Sequence, residues 1–389
     1  MSEKKIGLVC NYYILNYGSA LQCYATQRAV EELGESIEGI SFPNIPTKKA
    51  KIKVFLALKV KQFFKPKAVL KKIQRIKNSN INDYYLQIRK KRELKFKEFI
   101  DGNILLTKPY DSIEEVKRDI DNYNIVMLGS DQLLNPRDII LGYHTLSFVP
   151  DNIKKISYAA SFGLSKLPYL VRRKAKKELR RFDCFGAREI RGAEIYKELT
   201  GKDVPVVVDP TLLISREGWE GICDSEPIIK EKYIYCYFIG ENPVHRKIAE
   251  KLKEYTGYKI VLIRHIDEYI ESDEKFGDIA VNEAGPKEFI NLIANAEYVL
   301  ADSFHATIFS VIFQKKFFVL NRFKSGSSGS TNSRIDSLLE KLELEERRIE
   351  SVAELNEEHK KNINYTDVNY KLEEWKKNSK NYLKDALEI

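Results

Sequence analysis

Short apolar runs alternate with amphipathic segments along most of the chain. An apolar run at 5–10 leads into a helical pattern at 19–33, which stops at Gly34, and a second apolar run follows at 36–42. Apolar residues spaced three and four apart indicate a helix, whereas short apolar runs bounded by turn residues indicate buried strands. These residues therefore predict a β-α-β unit.

The alternation continues in two series. The first predicts further strands and helices, the strands at 125–128, 156–160 and 204–208 and the helices near 112–120 and at 168–182 and 193–199. The second predicts strands at 233–239, 259–263, 279–281, 298–301 and 317–320, with helices at 244–255, 286–294, 305–313 and 334–343. Strands separated by helices form parallel sheets through right-handed crossovers. We therefore expect an α/β fold with two Rossmann-like domains facing a cleft.

A break near 215–230 separates the two series and divides the expected domains. We place an N-terminal Rossmann-like domain at 1–215 and a C-terminal one at 216–345. The remaining segment, 346–389, has an amphipathic helical pattern whose apolar face suits packing back on the N-terminal domain. A Ser/Gly-rich stretch at 324–332 has the composition of a flexible loop.

Positive charge is concentrated in one segment that interrupts the alternation. The 389 residues carry 65 Lys and Arg against 56 Asp and Glu, a net charge of +9. Residues 48–97 alone hold eighteen basic side chains and two acidic ones, so the rest of the chain is mildly acidic. We therefore interpret about 44–97 as a basic insertion in the N-terminal domain.

Within this insertion, residues 51–72 interleave phenylalanine, leucine and valine with lysine. Such a pattern is typical of a segment that binds an anionic membrane surface, and less often of nucleic-acid contacts. An ordinary helix with a solvated lysine-rich face has the same pattern. Because the rest of the chain is acidic and has no nucleic-acid-binding motif, we expect a membrane surface and no nucleic acid as a partner.

Apolar runs and cysteines indicate the compartment. No run approaches the ~18 consecutive apolar residues of a membrane-spanning helix. The apolar piece at 6–10 is too short for the core of a signal peptide. The five cysteines are widely spaced and contain no CxxC pair, as expected for structural thiols in a reducing compartment and not for a zinc site. We expect a cytoplasmic protein, peripheral on the inner face of the cell membrane.

Polar residues that could bind ligands or take part in catalysis follow the predicted strands, where open α/β sheets bind their ligands. Every one of these short segments also fits a plain turn or a helix cap. The segments hold Asn16 and Gly18 after the first strand, Ser130, Asp131 and Gln132 after strand 125–128, Ser161 and Gly163 after strand 156–160, and Asp209 after strand 204–208.

The strongest segment follows strand 298–301 and reads Asp302-Ser303-Phe304-His305. A histidine in the first turn of a helix lies at the positive end of the helix dipole. An anion bound there leaves the imidazolium able to donate a proton. Arginines supply bidentate anchors for phosphate and carboxylate, although each also fits a surface charge. Those near strand ends or loops are Arg188, Arg264, Arg322 and Arg334.

Taken in order, these motifs resemble the polysaccharide pyruvyl transferases over about 5–345, outside the basic insertion. The motifs are Asn16-Tyr17-Gly18, Gly129-Ser130-Asp131-Gln132, Tyr158-Ala159-Ala160-Ser161-Phe162-Gly163, Asp209-Pro210-Thr211 and Asp302-Ser303-Phe304-His305, with Ser333-Arg334 ahead of a leucine-rich helix. The resemblance implies a fold similar to the B-type glycosyltransferases. It also implies transfer of pyruvate from phosphoenolpyruvate to hydroxyls of a cell-surface polysaccharide or lipid-linked glycan precursor, as a ketal.

The resemblance also implies roles for single residues. It implies that His305 acts as the catalytic acid, and we expect Asp302 to orient it. The donor side lies in the C-terminal domain and the acceptor side in the N-terminal domain, with no metal and no cofactor beyond phosphoenolpyruvate as donor substrate. Some family members carry a donor-binding arginine where this chain has Ser303. Donor-binding candidates are Arg188, Arg334, Ser303 and Arg264, and acceptor-binding candidates are Asn16, Gly18, Ser130, Asp131 and Gln132.

Two other functions fit the same sequence. The first is a nucleotide-sugar-dependent glycosyltransferase on the same fold, for which an acidic residue such as Glu283 or Glu288 would bind a ribose. The second is a non-catalytic glycan- or membrane-binding homologue, for which Ser303 in place of arginine is the indication. Thermal stabilisation by phosphoenolpyruvate, by UDP- or GDP-sugars, or by neither separates the three.

Overall fold

Two parallel sheets covered by helices form the computed structural model. It describes residues 5–42, 54, 83–224, 226–265, 270–273, 275–322, 333–356 and 362–389. The proposed membrane-binding segment 51–72, apart from residue 54, and the Ser/Gly-rich stretch 324–332 lie outside the described residues. Within the described ranges, no helix is both long enough and apolar enough to cross a membrane.

The first sheet lies in the N-terminal half of the chain. Its described strands are β1 (Lys5–Val9), β2 (Ser36–Gly39), β3 (Ile125–Leu128), β4 (Lys154–Ala160) and β5 (Cys184–Ala187). They run in the order β2-β1-β3-β4-β5, and each neighbouring pair is parallel. The helices of this half are α1 (Tyr17–Glu31), α2 (Asp83–Asn103), α3 (Ile113–Asp119), α4 (Pro136–Leu141), α5 (Tyr169–Leu179) and α6 (Ile190–Thr200).

The second sheet lies in the C-terminal half. Its described strands are β6 (Tyr233–Tyr237), β7 (Lys259–Leu262), β8 (Ile279–Ala280), β9 (Tyr298–Ala301), β10 (Lys316–Leu320) and β11 (Arg348–Ile349). They run in the order β11-β10-β9-β6-β7-β8, again all parallel. The helices here are α7 (Arg216–Glu220), α8 (Pro243–Thr256), α9 (Pro286–Ala294), α10 (Phe304–Ile312), α11 (Ser333–Leu342) and α12 (Tyr365–Leu387). The expected α/β fold with two parallel sheets is confirmed.

One predicted strand is wrong, and two of the described strands, β5 and β11, were missed. Residues 204–208 form only a single bridge, between Val206 and Ala187 of β5. Their other edge is covered by α12, where Trp375 Nε1 donates to the Val206 carbonyl at 2.9 Å and the Val208 N–H donates to Ser379 Oγ at 3.0 Å. The four-residue strand β5 was missed because it is short and contains a glycine. The C-terminal helix therefore covers the outer edge of residues 204–208, whose inner edge pairs with β5 only at Val206.

Helix α2 joins the two halves of the molecule. Arg92 is buried, and its guanidinium donates to the Asn282 carbonyl at 3.0 Å and to the Arg264 carbonyl at 3.2 Å. Tyr17 of α1 stacks on Phe289 of α9 with ring centroids 4.6 Å apart. Part of the expected basic insertion is therefore a structural helix that binds the second half, because backbone carbonyls of that half accept from Arg92.

Candidate functional site

The carboxyl ends of strands from both sheets face a cleft of about 580 Å³. Loops after β1 and β3 line it from the first sheet, and loops after β6, β9 and β10 line it from the second. This is the position that parallel α/β sheets offer to ligands, because strand ends and helix N-termini present backbone N–H groups there.

The loop after β1 contributes the start of α1. Asn16 caps this helix, since its Oδ1 accepts the Ser19 N–H at 3.1 Å. Ser19 Oγ in turn donates to Asp131 Oδ2 at 2.6 Å. Gly18 lies between them in the first helical turn and lines the cleft. The sequence candidates Asn16 and Gly18 therefore lie close to Asp131 on the cleft wall, with Ser19 bonded to both Asn16 and Asp131.

Asp131 follows β3 in an unusual backbone conformation. Its φ is +86°, a region that favours glycine and that aspartate tolerates better than most residues. Its carboxylate fixes this turn, since Oδ1 accepts the Gln132 N–H at 2.8 Å and lies 3.4 Å from Arg188 Nη2. Burial raises the pKa of Asp131, but the charges of Arg188 and His305 outweigh it and hold the pKa below its usual value.

Arg188 lies directly after β5 and is fully buried. Its Nη1 donates to Asp209 Oδ2 at 2.9 Å and to Ser130 Oγ at 3.2 Å. Burial lowers the pKa of Arg188, but the carboxylates of Asp209 and Asp131 more than offset this and raise it. Arg188 is therefore a fixed cation held between two carboxylates.

His305 lies in the first turn of α10, with its Nε2 3.7 Å from Asp209 Oδ2. The side chain is 8% exposed, so a ligand in the cleft reaches only one edge of the ring. Burial raises the pKa of Asp209, but the neighbouring His305 and the charge of Arg188 hold it well below its usual range. Asp209 therefore stays a carboxylate beside the imidazole ring of His305.

Two guanidinium groups lie over the ring of Phe304. The Cζ of Arg188 is 4.7 Å from the ring centroid and that of Arg334 is 5.5 Å away. With its amide oxygen turned toward Arg334, Gln132 accepts from both terminal nitrogens at 2.6 and 2.8 Å. Burial and the neighbouring Arg188 lower the pKa of Arg334 to about 9. An anion in the cleft would relieve this repulsion.

Asp302 does not face His305, which corrects the expected pairing. Its two carboxylate oxygens accept the backbone N–H groups of Ile239 at 2.7 Å and Gly240 at 2.8 Å. His245 Nδ1 lies 3.7 Å from the same carboxylate. Asp302 therefore fixes the loop after β6, because it follows the adjacent strand β9, and the carboxylate that faces His305 is Asp209.

Arg264 also lies away from the cleft wall. Its Nη2 donates to the Phe276 carbonyl at 3.4 Å, and its own carbonyl accepts from Arg92 of α2. It follows β7, two strands from β9, so the loop that carries it opens beside α2. Ser303, by contrast, is buried at the cap of α10 and lines the cleft.

The structure adds residues that the motifs do not mark. Buried Glu189 accepts from Ser161 Oγ at 2.8 Å, and burial raises its pKa above the usual value. It went unnoticed because β5, whose end it follows, was not predicted. His144, which belongs to no motif, also lines the cleft, as does Arg322, one of the candidate arginines. Among the described residues, no group of three or more His, Cys, Asp or Glu side chains is arranged to hold a metal ion.

Comparison with protein families gives a match to the polysaccharide pyruvyl transferase model over residues 16–325. Comparison with curated proteins gives no match. A glycosyltransferase from Rickettsia africae is similar in structure, with a TM-score of 0.53 and 11% identity over 100% of this chain and 99% of that one. The S. aureus MnaA–UDP co-structure gives a TM-score of 0.50 and 11% identity over 99% and 97% of the two chains. At such low identity these structures show the fold alone.

Proposed function

The chain belongs to the polysaccharide pyruvyl transferase family, and from this premise we propose that it transfers pyruvate from phosphoenolpyruvate to hydroxyls of a glycan. The product is a pyruvate ketal. The acceptor is a cell-surface polysaccharide or a lipid-linked glycan precursor.

One observation carries the proposal, namely the pairing of His305 with Asp209 beside two buried arginines. Nε2 of His305 lies 3.7 Å from Asp209 Oδ2, and Arg188 and Arg334 lie over the neighbouring ring of Phe304. Phosphoenolpyruvate carries a phosphate and a carboxylate on three carbons. Binding it requires fixed cations, and activating it requires an acid close to those cations.

Protonation at the methylene carbon of phosphoenolpyruvate starts the reaction. His305 gives this proton, and C2 becomes an oxocarbenium-like centre that a sugar hydroxyl attacks. Phosphate then leaves with the electrons of the C2–O bond, and a second hydroxyl closes the ketal. The N-terminus of α10 stabilises the negative charge on the donor.

We assign the donor to Arg334, Arg188 and Ser303, on the side of the cleft where α10 begins. We assign the acceptor to the neighbouring part of the cleft, near Asn16, Gly18 and the turn after β3 that holds Ser130, Asp131 and Gln132. Arg188 is already bound by Asp209 and Asp131, so it stabilises the site as a whole. Arg334 gains more from the donor, because its charge is the less compensated of the two.

Ion pairs of α2 favour this proposal over a nucleotide-sugar glycosyltransferase. Glu283 and Glu288 were the acidic residues considered for binding a ribose. In the structure Lys91 Nζ lies 2.7 Å from Glu283 Oε1, and Lys95 pairs with Glu288. Glu288 Oε2 also accepts the Gly285 N–H, so its carboxylate has both oxygens engaged. The His305–Asp209 pair likewise favours an enzyme over a non-catalytic homologue.

We further propose that the enzyme works in the cytoplasm on an anionic membrane surface, which its segment 51–72 contacts. Each lysine close to such a surface gains ~1 kcal/mol of attraction. Sedimentation with vesicles containing anionic lipid should recover the protein at low salt and release it at high salt. Failure to sediment at low salt would remove this partner without affecting the proposed reaction.

Thermal shift and product analysis test the reaction together. Phosphoenolpyruvate should raise the melting temperature, whereas UDP- and GDP-sugars should not. Incubation with phosphoenolpyruvate and glycans should release phosphate and add a pyruvate ketal to the acceptor, detected by mass. His305→Ala should lower transfer by roughly 10²–10⁴-fold without unfolding the protein. Near-normal turnover in this variant would exclude His305 as the acid.

A further inference from the structure

His144 is a buried histidine on the wall of the cleft, and it belongs to none of the motifs recognised in the sequence. Its side chain is 1% exposed, and it lines the cleft together with Asp138 of α4. Neither of its ring nitrogens has a hydrogen-bond partner among the described residues. A buried polar group without a partner is rare in native proteins, and it points to a ligand or a catalytic role.

The position of His144 follows from the end of α4. Asn135 caps this helix by accepting the Arg137 and Asp138 N–H groups at 3.0 and 3.1 Å. Gly142 ends it with a φ of +93°, which turns the chain back along the helix. His144 Nδ1 then lies 3.6 Å from Asp138 Oδ2. The turn therefore brings histidine and carboxylate together from one short segment.

In this pair the carboxylate lies beside Nδ1 of the histidine, whereas Asp209 lies beside Nε2 of His305. A carboxylate beside Nδ1 favours the tautomer that carries its proton on Nδ1, so Nε2 is left as an acceptor. Buried Asn11 Oδ1, also without a hydrogen-bond partner among the described residues, lines the same cleft. His305, the proposed proton donor, and His144, a proton acceptor, thus line the same cleft.

We propose that His144 accepts the proton of the acceptor hydroxyl, with Asp138 as its positioning residue. The inference rests on the proposed function. As the hydroxyl oxygen forms its bond to C2, its O–H bond breaks and the proton passes to Nε2 of His144. The proton from His305 has meanwhile formed the methyl group at C3. Phosphate departs with the C2–O electron pair and takes the proton from His144. The second hydroxyl then attacks C2, its O–H bond breaks, and its proton passes to His144 and from there through solvent back to His305.

Four full-length variants test this, each assayed with phosphoenolpyruvate and a panel of methyl pyranosides. His144→Gln keeps hydrogen bonding without basicity, and His144→Phe keeps the ring without either. Both should lower kcat by roughly 10²-fold or more, with the KM for phosphoenolpyruvate and its thermal shift unchanged. Asp138→Asn should give a smaller loss of kcat. Tyr143→Phe, which alters the adjacent residue outside the cleft wall, should behave as wild type.

The outcomes separate this inference from the proposed function. Absence of both phosphate release and stabilisation by phosphoenolpyruvate in the wild type would overturn the proposed function and this inference with it. An active wild type with His144→Gln or His144→Phe within threefold of its kcat would overturn the inference alone. Loss of the phosphoenolpyruvate thermal shift in both His144 variants would also overturn it, because His144 would then serve donor binding or folding.

Discussion

Gly18 and His305 are in contact across the cleft, since a Cβ atom built on Gly18 would lie 1.9 Å from His305 Nδ1. Gly18 belongs to the first turn of α1, and His305 to the first turn of α10. The catalytic candidate is therefore positioned by helices from both sheets. Only glycine allows this approach, because any side chain would occupy the space of the imidazole ring.

Gly18→Ala should consequently displace His305 and lower transfer by ~10²-fold, the order of loss that accompanies a 1 Å misplacement of a reacting group. Measurement of kcat alongside the melting temperature checks this. Gly102→Ala is the matched control, because its added Cβ meets no atom within 4 Å and it lies near the end of α2. Equal activity in the two variants would show that the contact does not position His305.

Asp209 and Asp302 should differ in their effects on catalysis. Asp209→Asn should lower kcat by roughly 10²–10⁴-fold, because it removes the carboxylate that faces His305. Asp302→Asn should lower kcat less, since Asp302 binds the backbone of residues 239 and 240. Comparing both variants at one pH, with circular dichroism as a folding control, decides the assignment. A larger kcat loss in Asp302→Asn would restore Asp302 as the orienting residue.

Stability should fall as the pH drops below about 4, the usual pKa of aspartate in an unfolded chain. The folded-state pKa values of Asp131 and Asp209 are lowered, so their stabilising contribution is present above that pH. It is lost progressively as the pH falls toward the folded values. Melting temperatures from pH 7 to pH 3 should therefore decline less steeply for Asp209→Asn than for wild type. The exposed Asp121→Asn should leave the slope unchanged.

Arg334 should destabilise the ligand-free protein and stabilise the complex with phosphoenolpyruvate. Its pKa is lowered to about 9 by burial and by the nearby Arg188, so its charge is costly in the free protein. Arg334→Met should keep or raise the melting temperature without ligand and lose the stabilisation by phosphoenolpyruvate, about 2.7 kcal/mol at 100 times Kd. Arg216→Met, which removes an exposed ion pair with Glu220, should keep that stabilisation. A full phosphoenolpyruvate shift in Arg334→Met would remove Arg334 from the donor site.

Arg92 should stabilise the junction between the two halves. Arg92→Met leaves the carbonyls of Asn282 and Arg264 without their donor, at a cost of about 2–3 kcal/mol. Lys97→Ala, on the same helix, removes an ion pair to Asp101 whose lysine is 70% exposed, and should change stability by less than ~1 kcal/mol. Urea unfolding of both variants measures the difference. Equal values would show that Arg92 contributes no more than a surface charge.

The periodicity of apolar residues was enough to predict most strands, because a buried parallel strand must be apolar on both faces. Strands β3 and β9 have the predicted bounds. The motif at 302–305 also indicated the first turn of α10 as a site, since a polar residue after a strand and before a helix faces the ligand edge. Short β5 and the bridge at Val206 depend on which neighbour covers an edge, and no local pattern contains that information.

The two parallel sheets, the cleft edge and the candidacy of His305 could be predicted without a structure, because they follow from periodicity and from the order of elements. The tertiary structure decided which carboxylate faces that histidine, which cations enter the cleft and where the basic helix lies. Asp209 pairs with His305, Arg264 points away, and α2 joins the halves. These are contacts between residues far apart in the chain, and the packing of one sheet against the other sets them.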